Sequence, residues 1–210
     1  MLFFECAILP SRMSSFRSTT SARSPGVRFL SALRTLGVAW LAVILGACAK
    51  DRIHVVQVSV PEQKMAVYTK GVETARYTIS TSRFGLGNEP GSNRTPLGKL
   101  EVACKIGAGV PVGMKFKSRE PTGEIVPVDA PGRDPIITRI LWLRGLEIAN
   151  ANAFERMIYI HGTPQEALLG TPASYGCVRM RSKDILELFD TVGEGAQVWI
   201  QNRPLPTLPN

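Results

Sequence analysis

Met157-Ile158-Tyr159-Ile160-His161-Gly162-Thr163, followed closely by Ser174-Tyr175-Gly176-Cys177-Val178-Arg179-Met180, is the most informative sequence in the chain. The first segment reads as an apolar strand with a histidine at its end. The second sets a cysteine between a glycine and a nearby arginine. A thiol nucleophile needs a base for its proton and a pre-aimed donor for the oxyanion that follows. These two segments offer all three: Cys177 as nucleophile, His161 as base, and the backbone N–H of Cys177, with that of Gly176, as oxyanion donors. Gly176 has no Cβ, so the backbone there can turn sharply and approach a substrate. An adjacent histidine is expected to shift a thiol of ordinary pKa near about 8.5 toward a thiolate–imidazolium pair.

Outward from this pair the pattern is β. Residues 53–60 are β-branched and partly alternating, 64–70 form a second strand broken by Gly71, and 75–81 form a third. A Gly/Pro/Asn loop at 84–98 precedes a strand at 99–106. The stretch 107–135 is dense in Gly and Pro. Within it, 114–117 and 124–126 can pair as a hairpin across Pro121-Thr122-Gly123, and an excursion this long reads as a lid over a cleft. Ile136 to Leu143 and Arg156 to Ile160 are apolar strands. Thr163-Pro164 fits an N-cap followed by proline, opening a short helix through Leu169. Ser182 can cap a second helix whose apolar face is Ile185, Leu186, Leu188 and Phe189, ended by Gly193 or Gly195. A strand at 196–200 closes a mostly β fold, sandwich-like with mixed sheets and two short α-helices.

The 210 residues, 44% hydrophobic and 20% charged, fit one globular domain behind an N-terminal appendage. Residues 1–34 are rich in Ser and Arg, and Leu36 to Ala47 is an unbroken apolar run. That run suits an export signal and is short for a membrane span. It ends in Leu45-Gly46-Ala47-Cys48, which resembles a bacterial lipobox, with Cys48 the residue to be lipidated. The expected organisation is a lipoprotein signal at 1–47, a tether at 48–52, a catalytic domain at 53–201 and a flexible tail at 202–210. Removing the signal takes five of the 25 basic residues and one of the 17 acidic ones, leaving a net charge of +4. No basic cluster remains to hold a nucleic acid. With two histidines in the chain and no CxxC pair, neither a metal site nor a cofactor is expected. Cys104 could be joined to Cys177 in an exported protein, but a nucleophile must stay free, so Cys104 is expected to pack as a small apolar side chain.

The two segments around His161 and Cys177 resemble the active site of the L,D-transpeptidase catalytic-domain family, also called YkuD-type. Gln63 to Tyr68, Tyr77 to Ser82, Thr95-Pro96-Leu97-Gly98 and Ile140 to Leu143 agree with it, so the resemblance spans roughly 53 to 201. It implies attack by Cys177 on the bond between the diamino acid and terminal D-Ala of a peptidoglycan stem tetrapeptide. The resulting thioester passes to an amine of another stem, to a protein amine, or to water. His161 takes the thiol proton and returns one to the departing D-alanine. The resemblance places Gly162, Thr163, Ser174 and Tyr175 around the site as substrate contacts or braces. Arg179 either binds a stem carboxylate or braces the cysteine loop, because a guanidinium suits a bidentate carboxylate. Ser174 bonds the His161 ring or satisfies a turn. Many relatives carry histidine where this chain has Tyr175.

Two other readings compete. A papain-like endopeptidase would place its cysteine before its histidine, and here His161 comes first. A wall-binding lipoprotein with a decayed site would not need an intact His161 and Cys177. The expected partners are peptidoglycan stem peptides and, through Cys48, the periplasmic side of the outer membrane, with the protein a monomer.

Overall fold

The computed structural model describes residues 50–206. The expected signal at 1–47, the expected lipid site Cys48 and the last residues of the tail lie outside them. Ten strands form among the described residues: β1 (His54–Ser59), β2 (Lys64–Thr69), β3 (Val72–Thr78), β4 (Gly98–Ile106), β5 (Met114–Lys117), β6 (Glu120–Ile125), β7 (Ile137–Gly145), β8 (Tyr159–Gly162), β9 (Val178–Met180) and β10 (Gln197–Gln201). They share one mixed sheet in the order β3-β2-β1-β10-β4-β7-β5-β6, with β8 joined to β7 and β9 joined to β8. The β1–β10 and β8–β9 pairs are parallel and the others antiparallel. Among the described residues one α-helix, α1 (Ser182–Thr191), joins β9 to β10. The fold is mostly β with a mixed sheet, as the sequence implies.

Alternation along the strands builds the core. Val56 and Val58 of β1, Met65 and Val67 of β2, Leu141 and Leu143 of β7, and Val198 and Ile200 of β10 are buried together with Ile185 and Leu188 of α1. Apolar burial of about 25 cal/mol per Å² makes such a cluster the main stabilising contribution. A smaller cluster of Met114, Phe116, Ile140 and Tyr159 lies where β5, β7 and β8 meet, and Cys177 packs against it.

Several elements depart from the sequence reading. The β5–β6 hairpin turns at Ser118 and Arg119, both at positive φ (51° and 71°), and not at Pro121-Thr122-Gly123. Two left-handed residues make a tight loop whose twist matches the flanking strands. Pro121 then falls in β6, the exposed last strand of the order, where a missing N–H breaks no ladder. The helix expected after Thr163 is a single 3-10 turn at Glu166–Leu168. Ser182 is the first residue of α1 and not its cap. Its N–H donates to the Glu166 carboxylate at 2.9 Å, a negative charge suited to a helix N-terminus. The end of the expected tether is docked: the Asp51 N–H donates to Glu194 O at 2.7 Å, and its carboxylate accepts from Gly193 N–H at 2.7 Å and bonds His54 at 2.8 Å. The start of the expected flexible tail is also pinned, since Leu205 is buried and its N–H donates to Glu62 at 2.6 Å.

Candidate active site

Strand parity assembles the site. The parallel β8–β9 pair sets Ile160 opposite Val178, His161 opposite Arg179 and Gly162 opposite Met180. Successive side chains on a strand point to opposite faces. Tyr159, His161, Cys177 and Arg179 therefore share one face, while Ile160, Val178 and Met180 enter the main core. The three-residue strand β9, which immediately follows Cys177, is the element that sequence periodicity did not reveal. Its run is too short to show alternation.

His161 is buried, and its Nδ1 lies 2.9 Å from the Gly162 carbonyl. A carbonyl only accepts, so the proton sits on Nδ1 and Nε2 carries the free lone pair. Burial holds the ring's pKa below the ordinary 6.5, opposed by the carbonyl bond and by Asp134. Gly162 must be glycine, because a Cβ would lie 2.7 Å from the Ile137 carbonyl oxygen. Beside it Thr138, a β-branched residue, is held at φ 71°. That strained conformation is secured by its hydroxyl, which accepts from Gly113 N–H at 3.1 Å and bonds Ser182 at 2.9 Å.

Cys177 is the free cysteine among the described residues, so it is not bonded to Cys104, which is buried on β4. The half-buried Cys177 rests on the smaller apolar cluster. Desolvation there pushes its thiol up to about 11, with the Tyr159 backbone N–H, Arg156 and Arg179 acting in the opposite direction. Both shifts favour the neutral forms. They run against the thiolate–imidazolium pair expected from sequence. The Sγ atom points to the Met157 carbonyl at 3.5 Å, and no hydrogen bond joins it to His161 among the described residues.

The segment before β9 is built to present the thiol. Gly176 sits at φ 117°, and a Cβ there would meet the Arg94 carbonyl at 3.3 Å. The Thr95 hydroxyl accepts from Ser82 N–H at 2.9 Å and donates to the Gly176 carbonyl at 3.1 Å, which gives the Thr95-Pro96 stretch its role. Ser174 satisfies the turn and does not touch the His161 ring: its hydroxyl donates to the Cys177 carbonyl at 2.6 Å and accepts from Gly176 N–H at 3.2 Å. This spends the Gly176 N–H and removes it as an oxyanion donor. The Cys177 N–H has no partner among the described residues, and the Tyr159 N–H already faces the sulfur.

Arg179 is a brace. Only 2% exposed, it forms an ion pair with Asp134, donates to Gln165 at 3.2 Å and to the Ser80 hydroxyl at 3.1 Å. Asp134 also accepts from the Thr163 hydroxyl, so Thr163 is spent as well. Asp134 was not legible from sequence, because it sits among Gly and Pro where no periodicity marks it. The 107–135 excursion covers the cysteine side of the site: Phe116 and Met114 of the hairpin are buried in the cluster under Cys177, and Arg119 reaches the Tyr159 hydroxyl at 3.5 Å. Tyr175 is exposed and does not approach His161 through any hydrogen bond. Its partner is Arg83, whose guanidinium lies 4.2 Å from the phenol ring centroid and donates to its hydroxyl.

Comparison with known proteins gives the family of the chain. Over short stretches the chain is 44% identical to the probable L,D-transpeptidase ErfK/SrfK of Salmonella typhimurium (50 residues, 24% of this chain and 16% of that protein). It is 46% identical to the putative L,D-transpeptidase YkuD of Bacillus subtilis (41 residues, 20% and 25%). The matched regions thus cover well under two thirds of those relatives. Among solved structures, L,D-transpeptidase 3 from Mycobacterium tuberculosis with a faropenem-derived adduct is 20% identical, with a TM-score of 0.48 over 71% of this chain and 60% of that one. An L,D-transpeptidase from Mycobacterium smegmatis is 14% identical, with a TM-score of 0.45 over 71% and 58%. The family model for the L,D-transpeptidase catalytic domain (YkuD) matches residues 53–200, from the residue before β1 to the second-last residue of β10, so the chain belongs to the L,D-transpeptidase catalytic domain family.

Proposed function

We propose that the protein is a peptidoglycan L,D-transpeptidase in which Cys177 is the nucleophile and His161 the base. The observation that supports this is the β8–β9 register, which sets both side chains on one face while the Cys177 N–H stays unpaired. In the first half-reaction the thiol turns from the Met157 carbonyl to His161 Nε2 and gives up its proton as sulfur bonds to the scissile carbonyl carbon. The carbonyl electrons move to oxygen, where the Cys177 and Tyr159 N–H groups meet them. Collapse breaks the bond to nitrogen, and the imidazolium protonates the departing D-alanine. In the second half an acceptor amine attacks the thioester, its proton passes to Nε2, and the C–S bond breaks to restore the thiol. Two neutral groups exchanging one proton during attack avoid holding a charged pair in an apolar site.

D-alanine release from a stem tetrapeptide donor tests this reading. With an acceptor stem present, mass spectrometry of the products should show one cross-link for each D-alanine released. Tripeptide alone would move the assignment to hydrolysis, and no D-alanine from either donor or mixture would contradict it.

A further inference from the structure

Beside the nucleophile lies an open cleft of about 830 Å³ that neither His161 nor Cys177 lines. Its walls include Arg83, Arg133, Asp134, Gln165, Tyr175 and Arg179. The charges are unequal: three guanidiniums face one carboxylate, and that carboxylate is committed to Arg179 and Thr163. Arg83 and Arg133 have no carboxylate partner among the described residues. The Nε of Arg179, buried in the wall, has no hydrogen-bond partner either.

Arg83 is also held in place. Its guanidinium carbon lies 4.2 Å from the Tyr175 ring centroid and 5.1 Å from that of Phe84, and the two rings sit 5.5 Å apart. An exposed arginine ordinarily loses much rotamer freedom on binding an anion; stacking between two rings removes part of that cost beforehand. Tyr175 is two residues before Cys177, so Arg83 is held by the segment that presents the thiol. A planar guanidinium is matched to a carboxylate.

Resting on the transpeptidase reading, we propose that this cleft binds a free carboxylate of the donor stem peptide through Arg83 and Arg133, with Tyr175 a positioning residue that holds Arg83. This assigns a role to the tyrosine that stands where many relatives have histidine. Of the two roles sequence offered Arg179, carboxylate receptor or brace, its ion pair with Asp134 fits the brace, and it forms part of the wall.

The test uses the full chain and tetrapeptide donors in which each carboxylate in turn is converted to its amide, with D-alanine release as the readout. Wild type should prefer the free-carboxylate donor at one position by about tenfold or more in kcat/KM, the size of one charge-assisted contact. Arg83→Gln should erase that preference by raising KM for the free-carboxylate donor, with kcat nearly unchanged. Tyr175→Ala should do the same, and Tyr175→Phe, which keeps the stacked ring, should restore most of the preference. If wild type releases D-alanine equally from every amidated donor, or Arg83→Gln slows all donors alike, the carboxylate subsite is wrong while the transpeptidase reading stands. If no donor releases D-alanine, both fall.

Discussion

The two side chains proposed to react were legible from their context: His161 ends an apolar run, and Cys177 sits in a Gly-Cys-Val-Arg segment. The direction of their pKa shifts was not legible, because it depends on what packs around them. Met114, Phe116, Ile140 and Tyr159 come from three separate strands, and their cluster desolvates the thiol. This has a pH consequence with a definite sign. A depressed His161 pKa keeps Nε2 basic below the ordinary 6.5, so the acid limb of kcat/KM should lie below about 6.5. A thiol raised to about 11 stays protonated near neutrality, so alkylation of the free protein by iodoacetamide should be slow at about pH 7. It should climb as pH rises toward about 11. Rapid alkylation at neutral pH, or an acid limb above about 6.5, would contradict the neutral pair. His161→Ala should lower acylation on the order of a thousandfold, the scale of a lost general base.

The longer apolar or partly alternating strands, such as β1, β2, β4 and β7, were legible at the element scale, and so was the apolar face of α1. The elements that finish the site were not. β9 has three residues, and the position of the β5–β6 turn follows from Ser118 and Arg119 adopting left-handed φ, which their residue types do not announce. The link between the 107–135 excursion and β9 is the Asp134–Arg179 ion pair, a contact 45 residues apart in sequence. Arg179 is nearly inaccessible and Asp134 only 22% exposed, so loss of the carboxylate strands a buried cation. Asp134→Ala should therefore destabilise the protein by about 3 kcal/mol, read from the urea midpoint. Asp134→Asn, which keeps an acceptor for Thr163, should cost less. A change below about 0.5 kcal/mol for the alanine variant, the scale of an ordinary surface substitution, would mean the pair does not anchor the excursion.

At the scale of the described domain, the sheet is mixed because β10, the last described strand, runs parallel to β1, the first. The order of the strands was not legible, because pairing across such separations leaves no local trace. The Leu45-Gly46-Ala47-Cys48 run supports our proposal that the domain is carried at the cell envelope by lipid on Cys48, at the outer membrane since Ala49 follows the cysteine. Two or more acyl chains anchor stably where one does not. Labelled fatty acid should then enter the wild type and not Cys48→Ser, and wild type that fractionates as soluble protein would refute the anchor. The central claim is that Cys177 carries the acyl group. Its most direct measurement is the intact mass of the protein after exposure to a carbapenem, whose strained carbonyl acylates a competent nucleophile without an acceptor. We predict a gain of one drug mass in wild type, mapped to Cys177, and none in Cys177→Ala; a gain that persists in the alanine variant, or an unmodified wild type, would contradict the account.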